Sequence, residues 1–191
     1  LNDIKRRLDQ QLQDLQAQGV VGVAFNVALL GVDFYRGIGP LLGRLRERGL
    51  CANVQVEGDQ LVAIKELLLD SGAQLVFDHC GRPVPGRGLG QAGFEALLSL
   101  AESGRAAVKL SGHAKVSAQA WPHADTEPYI RALLQAFTPA QLCWASDWPF
   151  LRAPARIDYG PLLTLLARHL PDGTARRQVL QDTPRRLLGF S

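Results

Sequence analysis

The sequence predicts an α/β fold on a parallel sheet, laid out as part of a (β/α)8 barrel, and three observations predict it. Short apolar runs of strand length begin near Val20, Cys51, Gln74, Ala106 and Gln141, steps of about 30 residues, the length of a βαβ repeat. Between them lie amphipathic stretches with helical spacing that mostly stop at glycines. Neither G-x-G-x-x-G after a strand nor G-x-x-x-x-G-K-[ST] occurs, so the phosphate-binding turns of a doubly wound open sheet are missing and the barrel is preferred. Closure takes eight strands and about 250 residues, against the five runs and 191 residues present. The chain contains no methionine and opens on a helical pattern, so the first barrel strands are expected to precede Leu1.

In order, Leu1, Ile4, Leu8, Leu12 and Leu15 recur at helical spacing between charged and amide residues, and Gly19 ends the pattern. The run VVGVAFNV from Val20 reads as the first strand. A helix over Leu41, Leu42 and Leu45 ends at Gly49, the strand CANVQV follows, and a helix over Leu61, Ile64, Leu67 and Leu68 ends at Gly72. The strand QLVFDH comes next, then a helix with Phe94, Leu97, Leu98 and Ala101 stopping at Gly104, and the strand AAVKLSG. A helix with Tyr129, Ile130, Leu133, Leu134 and Phe137 leads to the strand QLCWAS. Two helices finish the chain, one around Leu162 to Leu170 and one in which Thr183 is the predicted N-cap with Pro184 at the first helical position. Continuous apolar runs such as QLVF suit strands covered on both faces, and residues 1–191 read as one domain.

Hydrophobic residues make up 47% and charged residues 20% of the chain, the composition of a globular protein. No run approaches the ~18 apolar residues of a membrane span, and the N-terminus lacks the apolar stretch of a signal peptide. A cytoplasmic location and no membrane partner are therefore expected. The net charge of +3 is spread over short clusters such as Lys5-Arg6-Arg7, without the dense basic face that nucleic acid requires. Cys51, Cys80 and Cys143 form no CxxC pair, so buried thiols are expected rather than disulfides or a thiolate zinc site.

Active sites of parallel α/β proteins assemble at the C-terminal ends of the strands, and three strands here end in residues able to do chemistry. QLVF runs into Asp78-His79-Cys80-Gly81-Arg82-Pro83, QLCWA into Ser146-Asp147-Trp148-Pro149, and AAVKL into Ser111-Gly112-His113. A carboxylate that takes a proton from water, with an imidazole that binds a metal or donates to an oxyanion, makes a hydrolytic pair. Taken singly, an Asp or His at a strand end also serves as a turn-bonding residue, and Arg82 as the tether of its own turn. His123 and His169 belong to no pattern and read as surface.

FDHCGRP, VKLSG and ASDWPF, in that order and each on its own strand, together with GVAFN near the start and the closing DTPRRLLGF, resemble the amidohydrolase-related (amidohydrolase 2) family of TIM-barrel hydrolases. Within it they are most similar to the branch of 2-pyrone-4,6-dicarboxylate hydrolase and the sugar lactonases. The resemblance implies a distorted barrel that hydrolyses a small cyclic ester, sugar-derived or pyrone-type, in catabolism. It implies Asp147 as general base toward water and His79 as its strand-end partner, both also ligands in members that use a divalent metal such as zinc or manganese. A metal-free mechanism is equally compatible. The His-x-His of family members is absent here and is expected before Leu1.

Asn26, His113, Lys115 and Trp148 are the candidate substrate contacts: Asn26 at a strand end, His113 as a second imidazole, Lys115 nearest to an arginine that often follows LSG in the family, and Trp148 as a stacking ring. The branch's arginine is replaced by Ala24, and VALLGVD follows where basic residues are usual. This points away from a dicarboxylate and toward a less charged ring such as an aldonolactone, because arginine forks are the natural carboxylate clamps. Two other readings stay open. One is a metal-dependent non-oxidative decarboxylase of the same superfamily. The other is an inactive truncated scaffold or binding protein, whose unclosed sheet edge would favour a homo-oligomer.

Overall fold

Five strands form one parallel sheet in the order β1-β2-β3-β4-β5, so each strand lies beside its neighbour in sequence, as in an arc of a barrel wall. The structure is a computed structural model that describes residues 2–151, 153 and 158–190, with side chains from Arg6 onward. Leu1 of the predicted first helix lies outside the described residues.

The elements run α1 (Asn2–Ala17), β1 (Gly22–Asn26), α2 (Val27–Leu30), α3 (Val32–Tyr35), α4 (Gly39–Glu47), β2 (Cys51–Gln55), α5 (Gln60–Asp70) and β3 (Gln74–Phe77). They continue with α6 (Ala92–Ser99), β4 (Ala106–Leu110), α7 (His113–Val116), α8 (Glu127–Ala136), β5 (Leu142–Trp144), α9 (Tyr159–His169), α10 (Gly173–Arg177) and α11 (Thr183–Leu188). All five predicted strands and the amphipathic helices between them are present. No helix among the described residues is long and apolar enough to cross a membrane.

The two faces of the sheet differ in chemistry. One carries the main core, in which Phe25, Val54, Phe77, Val108 and Leu142 pack against helix residues such as Leu45, Ile64, Leu97 and Leu133, all nearly inaccessible to solvent. Burying each of these side chains contributes about 1.5–3 kcal/mol. On the other face, the interior of the arc, alternation along β2 presents Cys51, Asn53 and Gln55. Its N-terminal end is an apolar floor of Cys51, Val76, Ala107 and Cys143 capped by Leu187 of α11. Above the floor lies a polar layer, and above that the strand ends.

The closing helix departs from the prediction. Thr183 is helical, with φ −65° and ψ −50°, rather than an N-cap. The chain runs through a π-helical turn at Gln178–Asp182 between α10 and α11. The N-cap is Asp172, whose carboxylate accepts from the Ala175 N–H at 2.9 Å. Pro184 lacks the N–H that an uninterrupted α-helix would use, and a wider turn is one way a helix absorbs that loss. The Thr183 hydroxyl instead donates to the Pro139 carbonyl at 2.8 Å, fastening α11 to the start of β5.

Candidate active site

His79 follows β3 in a turn where left-handed backbone is concentrated: φ is 53° at His79, 56° at Cys80 and 49° at Arg82. Asp147, after β5, has φ 65°. Such conformations cost non-glycine residues of order 1–3 kcal/mol each and cluster at functional sites. Here they turn both side chains into the mouth of the sheet. Gly112, at φ +68°, passes so close to His79 that only a residue without Cβ fits.

The His79 ring is buried, with Nδ1 3.0 Å from the Ser111 hydroxyl and Nε2 3.6 Å from Asp147 Oδ1. Burial holds the His79 imidazole below its ordinary value, opposed by the carboxylates of Asp147 and Asp78. In the tautomer that carries its proton on Nε2, the Ser111 O–H donates to Nδ1 and the Nε2–H faces Asp147. The Lys115 ammonium sits 2.7 Å from the same Asp147 oxygen, with both side chains 15% exposed. Cys80 is walled off beneath, its thiol pushed up to about 12 by burial, and is no nucleophile.

Beside this cluster opens a cavity of about 320 Å³ whose polar walls are Asn26, Gln55, Arg82 and Lys115, with Leu29 and Leu151 at its edge. The Arg82 guanidinium is braced by Glu57 at 3.0 Å. Asn26 Oδ1 accepts from the Leu29 N–H at 3.1 Å, so this residue caps α2 while its side chain borders the cavity. Gln55 is not singled out by the sequence, Ser111 is named there at its strand end without a role of its own, and Arg82 is read only as a turn tether. The available signal was polar residues at the last inward positions of otherwise apolar strands.

The candidates thus divide. His79, Asp147, Lys115 and Asn26 come together at one mouth. Trp148 is 76% exposed and does not line the cavity. His113 is buried away from the cavity, stacked on His169 at 6.3 Å between ring centroids, with Nδ1 3.5 Å from the Thr126 hydroxyl. His123 is also buried and His169 is only part-exposed, which corrects their reading as surface residues: His169 stacks on His113, and His123 packs edge-on against Trp121 with Nδ1 2.9 Å from the Gln119 carbonyl.

Burial, reinforced by His169 and His123, lowers His113 to about 4 from an ordinary 6.5. The folded protein then binds fewer protons than the unfolded chain between those values. This contribution is whole above about pH 6.5 and is lost as pH falls toward 4, on the order of 3 kcal/mol. Denaturant unfolding at pH 7 and pH 4.5 should show that loss, and His113→Phe should flatten the slope by about one proton.

As metal donors, His79 Nε2 and Asp147 Oδ1 stand at a separation that suits two ligands of one zinc ion, whose N and O ligands lie about 2.0–2.2 Å from the metal. Yet the Lys115 ammonium occupies the same oxygen. Among the described residues no group of three or more His, Cys, Asp or Glu is arranged around a common centre. These donors do not by themselves fit a divalent ion.

Comparison with known proteins places this geometry in context. The model of the Amidohydrolase family matches residues 2–190. A 4-sulfomuconolactone hydrolase of Rhizobium radiobacter is 34% identical over 188 residues, covering 94% of this chain and 62% of its own length. A 2-pyrone-4,6-dicarboxylate hydrolase of Comamonas testosteroni is 24% identical over 197 residues, covering 96% of this chain and 64% of its own length. The chain thus spans about three fifths of the curated relatives it matches. An amidohydrolase from Burkholderia multivorans, solved with bound zinc, shares the fold with a TM-score of 0.78 at 22% identity, over 89% of this chain and 64% of that one.

Proposed function

Since the chain belongs to the Amidohydrolase family, we propose that its site opens a small cyclic ester bearing an anionic substituent, by attack of water. The observation that carries this reading is the meeting of the strand-end residues Asp147 and His79 with Lys115 of α7, beside a cavity walled by Arg82 and Lys115. Asp147 Oδ1 is held by Lys115, and Oδ2, which makes no hydrogen bond among the described residues, takes the proton of the attacking water and returns it to the ring oxygen as the acyl C–O bond breaks, which leaves the ring-opened hydroxy acid. His79 Nε2–H donates to the carbonyl oxygen as it gains charge. No step runs through a metal.

Arg82 and Lys115 give the cavity cations suited to a carboxylate or sulfonate. The names of the Rhizobium radiobacter and Comamonas testosteroni relatives, with their sulfo and dicarboxylate groups, support the same chemistry. The stretch from Val27 to Asp33, which points to a weakly charged ring, borders this cavity only through Ala28 and Leu29.

Acid release from a panel of lactones, followed by pH-stat with the intact gene product, tests the reading. Carboxylated or sulfonated rings are expected to be opened and neutral ones of equal size to be poor substrates. No hydrolysis of any ring would overturn it, and equal turnover of neutral rings would remove the anionic preference. Arg82→Met should raise KM for an anionic ring about 10- to 100-fold, the worth of a hydrogen bond to a charged group, with kcat little changed.

A further inference from the structure

Beneath the catalytic residues lies a closed network that the mechanism does not use. Lys109 Nζ on β4 donates to Asn53 Oδ1 on β2 at 2.6 Å and pairs with Asp78 Oδ1 at 2.8 Å, while Asn53 Nδ2 donates to Asp78 Oδ2 at 2.8 Å. The side chains of Lys109 and Asp78 are only 24% and 14% exposed, directly above the apolar floor.

We infer that Asn53, Asp78 and Lys109 are positioning residues that set the orientation of the His79 ring. The inference rests on the lactonase reading above. A part-buried ion pair contributes little over a well-packed apolar layer, because desolvation offsets the attraction, so stability alone does not account for three polar side chains here. Their place in the chain does. Asp78 immediately precedes His79, and Lys109 of β4 stands two residues before Ser111, which follows the end of that strand.

The Asp78–Lys109 pair therefore ties β3 to β4 one step below the point where His79 Nδ1 meets the Ser111 hydroxyl at 3.0 Å. Asn53 orients the carboxylate by holding its other oxygen. The turn that follows begins with φ 53° at His79, a conformation that persists only when its surroundings over-determine it. The network supplies that constraint on the strand side, and Gly112 supplies it on the other.

Lys109→Met alone leaves a carboxylate unpaired and risks unfolding. The decisive variant is therefore Asp78→Asn with Lys109→Met, which removes both charges and keeps the volumes. It is expected to unfold within a few degrees of the parent, to keep KM, and to lose kcat about 10- to 100-fold, as small misplacements of catalytic groups do. Lys109→Arg, which keeps the charge, should recover part of the loss.

The second readout is the 1H–15N signal of the His79 imidazole, sharp in the parent and shifted or doubled in the paired variant. A folded variant with unchanged kcat and an unchanged imidazole signal would overturn the inference. So would a fall of stability, KM and kcat together that Lys109→Arg does not relieve. If the parent opens no lactone while its His79 signal responds as expected, the lactonase reading falls and the positioning role stands.

Discussion

Asp147→Asn is expected to lower lactone hydrolysis by about 10²–10⁴-fold, the contribution of a positioned general base, while the protein remains folded. The asparagine carbonyl can still accept from Lys115, which sits 2.7 Å from Oδ1 in the parent, so the contact that orders the side chain survives. What disappears is the ability to hold the proton of water. The fall should appear in kcat with KM nearly unchanged, because the cations facing the cavity are retained. Near-UV circular dichroism and denaturant unfolding alongside the kinetics separate loss of chemistry from loss of structure. Full activity in the folded variant would remove Asp147 from the proton transfer.

Gly112→Ala should damage both stability and turnover. A Cβ at this position would stand 2.7 Å from Cβ, Cγ and Nδ1 of His79. These atoms lie at the root of the side chain, so the imidazole cannot swing aside without leaving Ser111. The left-handed backbone, at φ +68°, adds about 1–2 kcal/mol for any L side chain, and overpacking adds about 1–3 kcal/mol. Activity should fall about 100-fold or more as His79 is displaced. Gly104→Ala is the control: it shares a positive φ of 66° but has nothing within 4 Å, so it should cost stability and leave kcat intact.

The strands were legible because each is a short apolar run between a helix-ending glycine or proline-bearing turn and the next polar turn. Their ends were less so: β5 is confined to Leu142–Trp144, although QLCWAS carries the apolar pattern further. His79 and Asp147 could be picked out because a strand-end position combines exposure to the mouth with a reactive side chain.

Asn53 and Lys109 could not. Inside CANVQV and AAVKL they look like residues on a solvent-facing edge, and only the curvature of the sheet turns them toward Asp78. The histidines failed for a related reason. His113 on α7, His123 in the loop before α8 and His169 at the end of α9 come from separate segments, so their shielding from solvent is a property of how those segments meet, and no spacing along the chain encodes it. Arg82 sits on a turn whose sequence suggests local bonding, and its place in the cavity wall depends on positive φ at all four residues from His79 to Arg82.

The apolar floor under the polar layer, with Leu187 seated against Cys51, Val76, Ala107 and Cys143, separates two kinds of mutational freedom. On the function proposed, changes at the strand ends and their loops would act on substrate choice through Arg82, Lys115 and Asn26, which line the cavity, while the far end of the strands keeps its packing. Changes at Leu187 or Val76 act on persistence of the fold without touching any group that meets the ring. The division matches the general partition of such sheets into a catalytic end and a stabilising end. Selection for a different ligand could therefore proceed at one end of this molecule while the other remains under a separate and purely structural constraint.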